Sequence, residues 1–255
     1  MTIVPCALAG TNQRSQLVDL LTESVQVESK LPDSEAKACL LIDGPALIQA
    51  IGKPDRAKTF GDLSDVFCRN IWNNFGSVYS RTDVVFDHYN DQFIKSGTRA
   101  QRAGCVRSIR RVISSKNTQL PSNWKSFVSS SANKDDLAEF LSGALKKKAA
   151  KLNNEYEHVI GRGFDNILEV WSSKGRDIEN LKSSHEEADT RLILHANDAY
   201  MNGYQKIVLQ CRDTDILILA LAFKGQLSQE IWMSAGTVNK SNTYQSIKLI
   251  FLTLY

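Results

Sequence analysis

The chain has 255 residues, enough for one α/β domain with an extension or for two small domains. A hydrophobic fraction of 42% supports a packed core and excludes a disordered chain. A formal net charge of only +3 excludes binding of polyanions through bulk charge, so any nucleic-acid signal must be local.

The cysteines, Cys6, Cys39, Cys68, Cys105 and Cys211, are scattered and form no C-x-x-C pair. That pattern predicts reduced thiols rather than a disulfide frame or a zinc site. The opening MTIVPCALAG lacks a basic start and a long apolar stretch, so no signal peptide is expected. No apolar run approaches the ~18 residues of a membrane span, so no membrane partner is expected either. An intracellular protein, nuclear or cytoplasmic, fits these features.

Residues 1–36 read as an N-terminal helical extension, on the amphipathic stretch SQLVDLLTESVQV. From 37 to 255 the chain reads as one α/β domain. Strands are predicted at ACLLID (38–43), DVVFD (83–87), EHVIG (157–161), KIVLQCR (206–212) and EIWMSA (230–235). Helical stretches over 61–80, 134–151 and 186–202 separate them. The strands are short and nearly all apolar, as expected when both faces are covered. The alternation predicts three layers: a mainly parallel, twisted sheet of about five strands flanked by helices. In such sheets ligands bind beyond the carboxyl ends of the strands.

Acids collect at those ends. CLLIDG ends in Asp43, DVVFDHYND in Asp87, and IVLQCRDTD in Asp213 and Asp215. The helix beginning in HEEADTRLILHA opens with Glu187 and Asp189. Each has a structural explanation: Asp43 as a turn residue before Gly44-Pro45, Asp213 as a helix cap, Ser184 and Glu187 as a capping box. Caps alone do not require four separate segments to deliver acids to one edge. Glu187 and Asp189 differ by about 200° around a helix and can converge only at its first turn. Clustered carboxylates need a counter-charge. Oxygen-only donors suit a hard divalent ion, Mg²⁺ or Mn²⁺. One or two such ions among several carboxylates form a common apparatus for phosphodiester hydrolysis.

A basic stretch follows the second strand. FIKSGTRAQRAGCVRSIRR carries Lys95, Arg99, Arg102, Arg107, Arg110 and Arg111 and no acid. Lys95, Arg99 and Arg102 fall on one helical stripe, and Arg110 returns near it. Between 106 and 151 there are ten Lys or Arg against three Asp or Glu. Residues 106–156 therefore read as a basic helical segment, suited to a polyanion such as DNA or RNA. A solvated basic face is the alternative, above all for LKKKAAK (145–151).

These motifs resemble the 5′-nuclease, or flap-endonuclease-like, branch of the PIN-like superfamily. LIDG resembles its first strand with a metal-site aspartate, VVFDHYNDQFIKSGTRAQR its second strand and basic segment, HEEADTRLILHA its E-A-D helix start, and VLQCRDTDILIL its D-x-D strand end. The resemblance spans about residues 38–236. It implies a PIN-like fold in which Asp43, Asp87, Glu187, Asp189, Asp213 and Asp215 hold divalent metal. It also implies that Lys95 and Arg99 or Arg102 meet the scissile or an adjacent phosphate, and that 106–156 is a basic helical insertion or arch. Arg110, near the same stripe, is expected as a further phosphate contact, and Lys95, nearest in sequence to Asp87, as the one at the scissile phosphate. HEEADTR…DTD is similar, too, to a group of animal proteins often encoded beside mobile elements, which brings no activity with it. The family's helix–three-turn–helix element, with its further aspartate, has no counterpart in NTYQSIKLIFLTLY, so the C-terminal part reads as a fragment or a minimal domain. Two functions compete: a Mg²⁺-dependent, structure-specific nuclease, and an inactive scaffold that binds nucleic acid or protein. An acidic-site phosphatase is disfavoured, because DTD follows the fourth strand and not the first.

Overall fold

The computed structural model describes residues 27–28, 37–74, 79–87, 110–152, 156–164, 166, 168–183, 188–211, 213, 215–227, 230–234 and 246–250. Its strands are β1 (Val27–Glu28), β2 (Ala38–Asp43), β3 (Arg81–Val85), β4 (Glu157–Gly161), β5 (Val170–Ser172), β6 (Lys206–Gln210), β7 (Glu230–Ser234) and β8 (Ser246–Ile250). Its α-helices are α1 (Gly44–Ile51), α2 (Phe60–Asn74), α3 (Trp124–Val128), α4 (Ser131–Ala149), α5 (Ala188–Met201) and α6 (Asp215–Ala222).

All the strands form one sheet in the order β1-β8-β7-β6-β2-β3-β4-β5. The run from β7 through β6, β2 and β3 to β4 is parallel. β5 pairs antiparallel with β4, β8 with β7, and β1 with β8. The five parallel strands are the five expected from sequence. The sheet is wider and mixed because antiparallel strands are added at both edges. They cover backbone groups that a bare edge would leave unpaired.

Alternation along β2 builds the three layers. Ala38, Leu40 and Ile42 join the core formed with α1, α2 and α4, around Phe60, Phe67, Leu137 and Leu141. Cys39 and Leu41 join the opposite core, formed with α5 and α6 around Leu192, Ala196, Ile216 and Leu217. Both faces of the sheet are covered, so its strands read as continuous apolar runs. The described cysteines Cys39, Cys68 and Cys211 are free and buried. No helix among the described residues is long and apolar enough to cross a membrane.

Two expectations change. The stretch 1–36 was expected to be helical, but Val27–Glu28 is a strand on β8; the rest of it lies outside the described residues. The segment 106–156 was expected to be an insertion or arch. Instead α4 is a layer of the core, burying Leu137, Ala138, Leu141, Leu145 and Ala149 along one face. Outside that face Lys146 pairs with Glu169 and Lys148 with Asp65. The basic composition reflects the solvent face of a packed amphipathic helix.

Candidate active site

β2 lies between β6 and β3. From it the chain builds outward through β3 and β4 on one side and β6 and β7 on the other. That reversal makes a crevice at the carboxyl ends of β2 and β6. Asp43 closes β2, and Asp213 follows β6.

Asp43 has two roles at once. It is the N-cap of α1, accepting the Ala46 N–H at 3.0 Å. It is also 8% exposed and stands among other acids. Burial pushes its carboxyl up to about 7; the Ala46 bond opposes that rise, and Asp87, Asp189 and Asp213 reinforce it. The same edge acts on Cys211, whose thiol is pushed up by burial and by Asp43, Asp189 and Asp213. Gly44 is what allows α1 to start here. A Cβ at that position would meet the Phe86 ring at 2.7 Å and the Val85 carbonyl at 2.9 Å. The helix start thus sits directly against the end of β3, which keeps Asp43 near Asp87.

Asp87 lies two residues beyond β3, since that strand spans 81–85 rather than 83–87. Its Oδ1 accepts the Ala188 N–H at 2.6 Å. A residue from a separate strand end thereby caps α5, the role expected for Ser184 and Glu187, which lie outside the described residues. Asp189 follows in the first turn of α5, half-buried. Asp213 is exposed, and its Oδ1 accepts the Asp215 N–H at 3.0 Å.

The structure therefore brings Asp43, Asp87, Asp189 and Asp213 to one edge. Asp215 opens α6, in its first turn. Glu187, Lys95, Arg99 and Arg102 lie outside the described residues. Arg110 is described and is engaged within the chain: Nη1 and Nη2 meet the two oxygens of Asp136 at 2.7 and 3.0 Å, and Nη1 also donates to Asn133. The donor set is all oxygen, which suits a hard divalent ion. Among the described residues, however, no three His, Cys, Asp or Glu side chains are grouped closely enough to hold one metal ion. The acids meet as mutually repelling charges across a crevice.

Sequence reasoning missed a second polar cluster, at the other end of α5. Arg81 Nε and Nη2 donate to Asp83 at 2.7 and 2.6 Å. Its Nη1 lies 2.7 Å from Asp198 Oδ2, an ion pair without the geometry of a directed hydrogen bond. Arg176 bridges Glu157 and Asp198, each at 2.6 Å. Burial opposes the charge on Asp83, but Arg81 and His195 outweigh it and hold the carboxyl below its usual range. Asp198 is likewise drawn down to about 2, with Arg176, Asn180 and Arg81 overcoming its burial. This network pins the C-terminal half of α5, and Asp87 fixes its first turn, so both ends are held. An acid inside an apolar strand, as in DVVFD, was the available signal.

No protein-family model matches the chain, and no characterised protein matches it in sequence.

Proposed function

We propose that the chain is a divalent-metal-dependent nuclease of PIN-like type, hydrolysing phosphodiester bonds of DNA or RNA. The observation that carries this reading is the meeting of Asp43, Asp87, Asp189 and Asp213 at the switch point, with Asp43 driven up to about 7. Burial is the main cause of that rise and the neighbouring acids add to it; a bound cation would offset both. The described acids form no ready-made metal cage, so Mg²⁺ or Mn²⁺ would have to draw Asp43, Asp87, Asp189 and Asp213 closer, with Glu187 and Asp215 as further donors. The ion supplies water activation and neutralises charge on the leaving oxygen. Lys95, Arg99 and Arg102 are the groups proposed to meet substrate phosphates. Labelled single strands, flaps and duplexes, incubated with Mg²⁺, Mn²⁺ or EDTA, test the proposal. Cleavage should need metal and disappear in Asp213→Asn, whose fold is preserved. Cleavage that survives EDTA or that substitution overturns it.

A second reading, a binding scaffold without activity, is favoured by one observation. Asp43 and Asp87 both serve as helix caps, a role that needs no metal. Metal-independent binding of nucleic acid without cleavage would select it.

A further inference from the structure

A cavity of about 140 Å³ opens beside the acid edge. Its walls come from α1, the end of β3, α3 and α4, and are mainly apolar, with Ile48, Phe86, Trp124 and Val128 among them. Two charged side chains also line it, Asp87 and Lys134. Asp87 belongs to the acid edge as well, so the cavity and the crevice share a wall.

We propose that this cavity receives one unstacked nucleobase of the substrate strand, next to the phosphate to be cleaved; the proposal rests on reading the acid edge as a phosphodiester-hydrolysing centre. Size supports it. Apolar cavities of about 150 Å³ accept a benzene ring, so one aromatic ring fits here. Shape and rigidity support it too. Trp124 stacks on Phe127, with ring centroids 5.3 Å apart and planes 28° apart, which fixes the indole as a wall. One ring is the size of a pyrimidine, and stacking on an aromatic wall accepts either pyrimidine, because each has a π-face. The apolar walls suit the base, and the charged fringe is mixed, with Asp87 and Lys134 both lining the cavity. A base inside a duplex cannot enter, since it is paired and stacked on its neighbours. The cavity therefore selects single-stranded, frayed or flap-like substrates.

The test uses strands that carry one abasic position at or beside the cleavage position, with binding measured in Ca²⁺ and single-turnover cleavage in Mg²⁺. Wild type should bind the abasic strand roughly tenfold more weakly than the intact one, the scale of one lost base–aromatic stack. Trp124→Ala should lose about the same on the intact strand and should no longer distinguish the two strands. Trp124→Phe keeps a ring and should restore the discrimination, which a merely misfolded variant could not do. Val128→Phe, which narrows the cavity, should mimic Trp124→Ala. Equal affinity of wild type for intact and abasic strands overturns the proposal while leaving the nuclease reading intact. Discrimination through Trp124 without any cleavage supports the base site and overturns the nuclease reading. Failure to bind any strand overturns the base site.

Discussion

Nδ1 of His195 lies 2.7 Å from Oδ2 of Asp83, with both side chains wholly buried between the sheet and α5. Burial keeps the imidazole pKa below its usual value, and Asp83 opposes that fall without overcoming it. The ring is therefore neutral near pH 7, and with Asp83 ionised it is Nδ1–H that donates. Asp83 thus answers Arg81 and His195 together. Replacing it by Asn keeps the shape but removes the charge facing a buried guanidinium. Asp83→Asn should cost about 3 kcal/mol or more in urea unfolding at pH 7. A loss below about 1 kcal/mol would show that Asp198 alone suffices for Arg81.

His195 also sets a packing limit. A Cβ at Gly161 would lie 2.6 Å from its Nε2 and 2.9 Å from its Cε1. The ring is held by Asp83 and cannot swing away cheaply. Gly161→Ala should therefore destabilise the protein, and the cost should shrink when His195 is Ala as well. A double-mutant cycle in denaturant measures this, with a coupling of about 1 kcal/mol or more expected between groups in contact. Strict additivity would place the cost of Gly161→Ala elsewhere.

The parallel core was legible because hydrophobic burial on two faces writes itself as short apolar runs; β2, β4, β6 and β7 appear close to where their residues suggested. The edge strands were not legible. β1 and β5 have two and three residues, too few for a periodicity to show. The convergence of Asp43, Asp87 and Asp213 follows from parallel topology, because every parallel strand delivers its carboxyl end to one edge; Asp189 joins them because Asp87 caps the start of α5. What sequence could not show is which acid also caps which helix. The Asp87 to Ala188 bond joins positions 101 residues apart and leaves no local pattern. Nor could the charge count in 106–156 separate free cations from those paired within the fold, as Arg110, Lys146 and Lys148 are.

That separation predicts different behaviour along the basic stretch. Arg110 is held in a bidentate pair with Asp136 and is about half exposed. Arg110→Ala should change stability by under about 1 kcal/mol, as for other exposed pairs. It should leave the salt dependence of nucleic-acid binding unaltered. Replacing Lys95, Arg99 and Arg102 together by Ala should flatten that dependence, by about 0.7 in log–log slope for each lost contact to a single strand. Binding titrations in Ca²⁺ at several salt concentrations compare the two. A flatter slope for Arg110→Ala would mean that it leaves Asp136 for a phosphate; an unchanged slope for the triple variant would leave those three as a solvated face.

Asp43 gives the sharpest pH prediction. Its carboxyl is raised from 3.8 in the unfolded chain to about 7 in the fold. Between those values the folded state holds a proton that the unfolded state has lost, so stability from this group falls as pH rises from about 4 to about 7. Above 7 the full penalty for a buried charge remains, on the order of 4 kcal/mol at most. Asp43→Asn removes it. Asn caps a helix as well as Asp does, so the bond from Ala46 can persist and the variant isolates the charge. Without metal, Asp43→Asn should therefore be more stable than wild type at pH 8 and nearly equal to it at pH 4 to 5. Millimolar Mg²⁺ should restore the wild type at pH 8, because a bound cation offsets the buried charge, and should do little for the variant or for wild type at pH 5. Thermal unfolding at the two pH values, with Mg²⁺ or EDTA, reads all of these. If Asp43→Asn is less stable than wild type at pH 8 without metal, the aspartate serves α1 chiefly as a cap, and the proposed cation site at the acid edge loses its support.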